Sequence, residues 1–126
     1  MEHIEPKGQL VIQTVAMPAD TNAHGDIFGG WLVSHMDMGA GIAARHRARS
    51  RCATVAIDSL VFLKRVIVGD TVRCFAEVLK VGRTSMQIKI EVWTTALVED
   101  MHKKVSEGIF TFVAIDDHGN PHPVDR

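Results

Sequence analysis

Asp37 lies in Ser34-His-Met-Asp-Met-Gly39, among apolar neighbours in a stretch that reads as helix. Aspartate is a poor helix-interior residue and is almost never fully buried without a partner. A carboxylate set in an apolar wall beside a cleft is suited to work as a general base or a nucleophile. The segment Asp20 to Gly30 feeds that helix and carries a second group of candidates. Gly25, Gly29 and Gly30 gather where the helix begins, and the first N–H groups of a helix have no partners within it. Those donors, together with the helix dipole, suit an anion or a developing oxyanion. Asp26 reads as the N-cap of the same helix. Asn22 and His24, one turn upstream, are types that bond a substrate or a water, and equally types that build turns. A third group is basic: Lys64 and Arg65, then Arg83 with Thr84 and Ser85, where charge and hydroxyls together suit a phosphate.

Other chemistries lack their patterns. There is no G-x-x-x-x-G-K and no G-x-G-x-x-G, and neither Ser34 nor Ser59 lies in G-x-S-x-G. The seven histidines show no H-x-x-x-H, H-x-H or H-E-x-x-H spacing, so no metal site is expected. Cys52 and Cys74 form no C-x-x-C pair. Cys52 follows a run of arginines that would favour its thiolate, but it has no catalytic motif around it.

The elements that must position these residues follow from pattern. Gln9 to Met17 is a β-rich run stopped by Pro18, and Pro18 to Asp26 is a dense loop of turn formers. Ile27 to about His46 reads as a helix that is apolar or small almost all round, which is the mark of a buried helix. Its glycines, Gly29, Gly30, Gly39 and Gly41, weaken a helix and imply close approach of backbone or ligand. Arg45, His46, Arg47, Arg49 and Arg51 bring cations to its C-terminal end, where the dipole favours them.

Four strands come next. Ala53 to Leu63 alternates, with Val55, Ile57, Ser59, Val61 and Leu63 sharing a face. Thr71 to Val81 and Thr84 to Leu97 form a hairpin jointed at Gly82-Arg83. In the second arm Met86, Ile88, Ile90 and Val92 form the buried face; Gln87, Lys89 and Glu91 form the wet one. A polar insert, Glu99 to Glu107, precedes the last strand, Ile109 to Ile115. One buried helix against an antiparallel sheet is an α+β architecture. Such a sheet leaves free edges and one open face, so at least a dimer is expected.

The 126 residues carry 14 Lys+Arg against 15 Asp+Glu, a net charge of −1, with 46% apolar residues. These figures describe one globular domain over residues 1–126, with 1–8 flexible. The charge balance speaks against a nucleic-acid partner and against attraction to anionic membranes. No apolar run is long enough to span a bilayer, and Met1 to Lys7 is not a signal peptide, so a cytoplasmic location is expected.

The block Met17-Pro-Ala-Asp-Thr-Asn-Ala-His-Gly-Asp-Ile-Phe-Gly-Gly-Trp-Leu-Val-Ser-His-Met-Asp37 resembles the opening of hotdog-fold acyl-CoA thioesterases, most closely their YciA-like branch. Thr54-Val-Ala-Ile-Asp-Ser59, Phe62-Leu-Lys64, Val68-Gly-Asp70, Lys80-Val-Gly-Arg-Thr-Ser85, Glu91-Val-Trp93 and Phe110-Thr-Phe-Val-Ala114 continue the resemblance, which runs from about Gly8 to Pro123. It implies a five-stranded antiparallel sheet wrapped around one long central helix. It implies dimers with active sites at their interface, usually assembled as trimers of dimers. It implies hydrolysis of acyl-CoA thioesters over a broad range of chain lengths, with no cofactor apart from the coenzyme A of the substrate. Asp37 matches the family's carboxylate, acting as general base or nucleophile. Asn22 matches the asparagine that positions water or thioester, and Phe28-Gly29-Gly30 the turn whose N–H polarises the carbonyl.

The strand carrying Thr54, Asp58 and Ser59 would line the partner's site. Lys64 and the turn Gly82-Arg83-Thr84-Ser85 match the region that meets the CoA nucleotide. Arg65 stands where the family often has proline and would add a cation there. Met36, Met38 and Val61 beside the helix would face the acyl chain, and methionine adapts to varied chains. A non-catalytic acyl-CoA-binding regulator and a hotdog dehydratase are the alternatives. Regulators of this kind usually carry an attached DNA-binding domain, and this sequence shows no helix-turn-helix segment. The dehydratases need a catalytic histidine in a different motif.

Overall fold

The computed structural model describes residues 5–96 and 102–126. Its elements are β1 (Gln9–Val15), a single 3₁₀ turn (Pro18–Asp20), α1 (Gly29–Ala48), β2 (Arg51–Phe62), β3 (Thr71–Val81), β4 (Ser85–Thr95) and β5 (His102–Ile115). The five strands form one sheet in the order β1-β3-β4-β5-β2, antiparallel at every joint. The helix lies across this sheet and touches all five strands. The expected α+β hotdog architecture is therefore the observed one.

Burial on one face of α1 holds the layers together. Leu32, Met36, Ala40, Ala44 and Ala48 meet Ile88, Ile90, Phe110 and Phe112 of the sheet in one core. Gly39 lets the helix sit close to β1: a Cβ there would lie 2.9 Å from Val11 Cγ2. Phe110 is fully buried at the centre. Phe110→Ala is expected to cost about 3–5 kcal/mol, read as a lower denaturant midpoint at unchanged slope.

Several sequence expectations are corrected. The helix begins at Gly29, with Phe28 rather than Asp26 at the N-cap, and no side chain caps it. It is not buried all round, for Met38 is 50% exposed and Ile42 is exposed with it. Met36, expected to face the acyl chain, is wholly in the core. On β2 the simple alternation fails, because register shifts between Thr54 and Ala56 and between Ile57 and Ser59 change which residues share a face. Glu91 is not on a wet face. It is buried, accepts the Trp93 indole N–H at 2.9 Å, and lies near Lys89 and Lys104. The polar insert is in part the start of β5, from His102 onward; residues 97–101 lie outside the described residues. Lys7, in the expected flexible leader, donates its backbone N–H to Glu91 at 3.4 Å.

Candidate active site

The structure places the candidates in three groups. The first is Asp37 with Thr54. Asp37 is half-buried on α1, and the Thr54 hydroxyl of β2 donates to its Oδ1 at 2.6 Å. The sequence reading put Thr54 in the partner's site; within the protomer it is the direct partner of Asp37. A charge-assisted bond of this length fixes the carboxylate rotamer and leaves Oδ2 with no partner among the described residues. That oxygen is available to accept a proton or to attack.

The second group surrounds the loop before α1. A cleft of about 450 Å³ is lined by Asn22, Asp26, Gly29, Phe62, Lys64 and Arg65 among others. Asn22 organises the loop: its Oδ1 accepts the N–H groups of His24 (2.8 Å) and Asp26 (3.2 Å), and its own N–H donates to Asp26 O (2.7 Å). Gly25 makes the turn at φ 84°. The Phe28 N–H is engaged by Asp20 O at 3.3 Å. The N–H groups of Gly29 and Gly30 have no acceptor among the described residues and are the donors left for a ligand. Arg65 Nη2 lies 2.9 Å from Asp26 Oδ1, out of hydrogen-bonding direction but well within ion-pair range. The pair ties the connection after β2 to the Asn22 loop, a role the sequence did not reveal. Charge complementarity between an acid in one loop and a base in the next was its only signal.

The third group is the β3–β4 turn. Gly82 N–H donates to Ser85 O at 2.8 Å, Thr84 O accepts from Ala114, and Arg83 is exposed. Asp58 accepts from the Thr111 hydroxyl, and Ser59 beside it is exposed.

One protomer does not unite these groups. Gly29 and Asp37 are eight residues apart on α1, about 12 Å of rise, too far to act on one carbonyl. Phe62 pairs with Ser106 and Ser85 with Val113, so Lys64 and the β3–β4 turn lie at opposite ends of β5. Seven residues of strand between them span about 23 Å.

Cysteine chemistry finds no support. Cys74 is buried, which pushes its thiol up from near 9 to about 12. Burial is also the main effect on Cys52, which lies on a strand rather than in a loop; its thiol is raised despite nearby Arg45. Iodoacetamide at pH 8 is expected to label Cys52 slowly and Cys74 about 1000-fold more slowly than a free thiol, since only the thiolate reacts. Peptide mass mapping reads the difference. Among the described residues, no three His, Cys, Asp or Glu come together as a metal site.

Comparison with known proteins gives a consistent answer. The family model of the thioesterase superfamily matches residues 24–99. The acyl-CoA thioester hydrolase YciA of Salmonella typhimurium is 48% identical over 122 residues, covering 94% of this chain and 92% of its own length. Among solved structures, a hexameric thioesterase from Yersinia pestis superposes with a TM-score of 0.93 at 48% identity, over 97% of this chain and 99% of that one. A hexameric broad-specificity acyl-coenzyme A thioesterase, solved as an aspartate-to-alanine variant, gives 0.92 at 46% identity, over 95% and 88% of the two chains. With its five-stranded sheet, its single long helix and identity near one half over almost its whole length, the chain belongs to the thioesterase superfamily, in the branch of the YciA acyl-CoA thioester hydrolases.

Proposed function

We propose that this chain hydrolyses acyl-CoA thioesters to free CoA and a carboxylic acid, with broad tolerance of acyl length. The observation that carries the reading is the Asp37–Thr54 pair beside an unpaired apolar strand edge. β2 is the last strand of the sheet, and Val55 and Ile57 on it are exposed. Two copies joined antiparallel along β2 by a two-fold axis bury those residues and continue the sheet. The same operation sets the partner's Phe62 end beside the Arg51 end of this copy. Asn22, Gly29 and Lys64 of one copy then share a site with Asp37, Thr54 and the Gly82–Ser85 turn of the other. The oligomer proposed is the hexamer of the two solved relatives, built as a trimer of such dimers.

The chemistry follows from these positions. The Gly29 and Gly30 N–H groups hold the carbonyl oxygen as it gains charge. Asp37 either takes the proton of the attacking water or attacks the carbonyl carbon itself, in which case water then hydrolyses the acyl–Asp37 anhydride to free the acid and restore the carboxylate. The C–S bond breaks and the sulfur leaves with the electron pair and takes up a proton. Hydroxylamine trapping of an acyl–Asp37 anhydride separates the two routes. Lys64 and the Arg83 turn hold the nucleotide end, and exposed Met38 and Val61 face the acyl chain. The reaction needs no cofactor, coenzyme A being part of the substrate, and the protein works in the cytoplasm.

The test is thiol release from acyl-CoAs of two to sixteen carbons. Turnover at several lengths is expected. No release at any length from folded protein would remove the thioesterase reading, and turnover confined to one length would remove its breadth.

A further inference from the structure

Six of the eight arginines, Arg45, Arg47, Arg49, Arg51, Arg83 and Arg126, lie at one end of the molecule in a chain of net charge −1. The C-terminal end of α1, the start of β2, the β3–β4 turn and the chain end meet there. Val124 N–H donates to Arg83 O at 2.8 Å, and Arg126 Nη2 donates to the carbonyls of Ala48 and Arg49, each at 3.3 Å. Two adjoining cavities, about 440 and 350 Å³, share Arg49 and Arg126 as walls.

The opposing acids are largely occupied. Asp125 is held by both terminal nitrogens of Arg47, at 2.7 and 3.3 Å. Asp116 accepts the N–H groups of His118 and Asn120, each at 2.9 Å. Asp117 is exposed and unengaged among the described residues. Arg45, Arg49 and Arg51 have no hydrogen-bond or ion-pair partner among them either.

Arg47 is paired with Asp125 and Arg126 caps the helix carbonyls, whereas Arg49 is the C-cap through its backbone alone and its side chain has no partner among the described residues. Arg49 is the one non-glycine residue at positive φ among the described residues, at φ 54°. A glycine or asparagine fits this helix-ending position at lower strain. Non-glycine residues held at positive φ gather where ligands are held.

We propose that Arg49 and Arg51, with Arg45 beside them, bind the phosphates of the coenzyme A nucleotide. The proposal rests on the thioesterase reading above and deepens it. The arginines stand on the path the substrate must take. Arg51 is three residues along β2 from Thr54, about 10 Å. Arg49 is twelve residues along α1 from Asp37, about 18 Å. A pantetheine arm with its thioester at Asp37 spans such a distance. Guanidinium forks match phosphate oxygens two at a time.

The experiment compares octanoyl-CoA with octanoyl-pantetheine, which has the same thioester and no nucleotide. The variant is Arg49→Gly with Arg51→Gln, since glycine accepts the positive φ and preserves the helix end. The ratio of kcat/KM on octanoyl-CoA to that on octanoyl-pantetheine is expected to fall about tenfold, through KM, as two charge-assisted contacts are lost. The KM of the parent for octanoyl-CoA is expected to rise with salt, and that of the variant to rise less. The variant is expected to melt no lower than the parent. An unchanged ratio, or an equal loss on both substrates, overturns the proposal. If the parent releases thiol from neither substrate, the thioesterase reading fails separately. Calorimetry with adenosine 3′,5′-bisphosphate then decides the anion site alone: binding weakened at least fivefold in the variant supports it, and equal or absent binding overturns it.

Discussion

Asp37→Asn is expected to lower kcat for acyl-CoA hydrolysis at least about 100-fold, the usual cost of losing a general base, while KM changes little. Asparagine has the same shape, and its Oδ1 still accepts the Thr54 hydroxyl that lies 2.6 Å away. It can neither take a proton from water nor displace a thiolate. Because the helix packing is untouched, the variant should melt with the parent. Thr54→Val separates aim from charge. It leaves the carboxylate but removes the donor that fixes it, and a hydrogen bond to a charged group is worth about 1.5–3 kcal/mol. A loss of about tenfold or more in kcat is expected. Full activity in Asp37→Asn would move the chemistry to another group.

The second large effect concerns assembly. Ile57 is exposed near the middle of β2, so a two-fold axis through that strand brings two copies of it close together. Ile57→Lys would set two ammonium groups against each other in a place that must lose its water. Sedimentation is expected to find a monomer of 13.9 kDa in place of an oligomer. Hydrolysis should fall at least about 100-fold with it, because the donors of one copy no longer meet the carboxylate of the other. A fully active monomer would show that a single chain completes the site. An intact, active oligomer would show that β2 is not the seam.

How much of this was legible in the residues differs by level. The hairpin of β3 and β4, the long glycine-rich helix and the α+β class could be read directly, since each rests on a local period or turn. The edge position of β2 could not be read that way, for strand order is set by long-range pairing rather than local pattern. Glu91 looked wet because charge in an alternating strand normally faces water; here Trp93 and two lysines satisfy it beneath the surface. The start of β5 hid behind the charges of Lys103, Lys104 and Glu107; Glu107 pairs with Lys104 and with Lys89 of the neighbouring strand, which supports strand despite the polarity. Met36 looked available because helical spacing alone does not say which side meets the sheet. Asp37 and Asn22 were both visible as candidates, one as an acid in apolar company and the other as a loop amide able to bond a substrate or a water, with the resemblance assigning it the positioning role. Their separation along one protomer became visible only with the helix in three dimensions.

That separation allows the account to be tested most directly by mixing two variants. Asp37→Asn and Asn22→Ala, each expected to keep about 1% of parent turnover alone, would be co-expressed with different tags and the mixed oligomers isolated. In each mixed pair one site receives both changes and the other receives neither. Thiol release from octanoyl-CoA is expected to return to about half of the parent rate in purified mixed dimers, or about a quarter in a random mixture. Activity that stays at the sum of the two single variants would contradict a site built from two copies of this chain around Asp37.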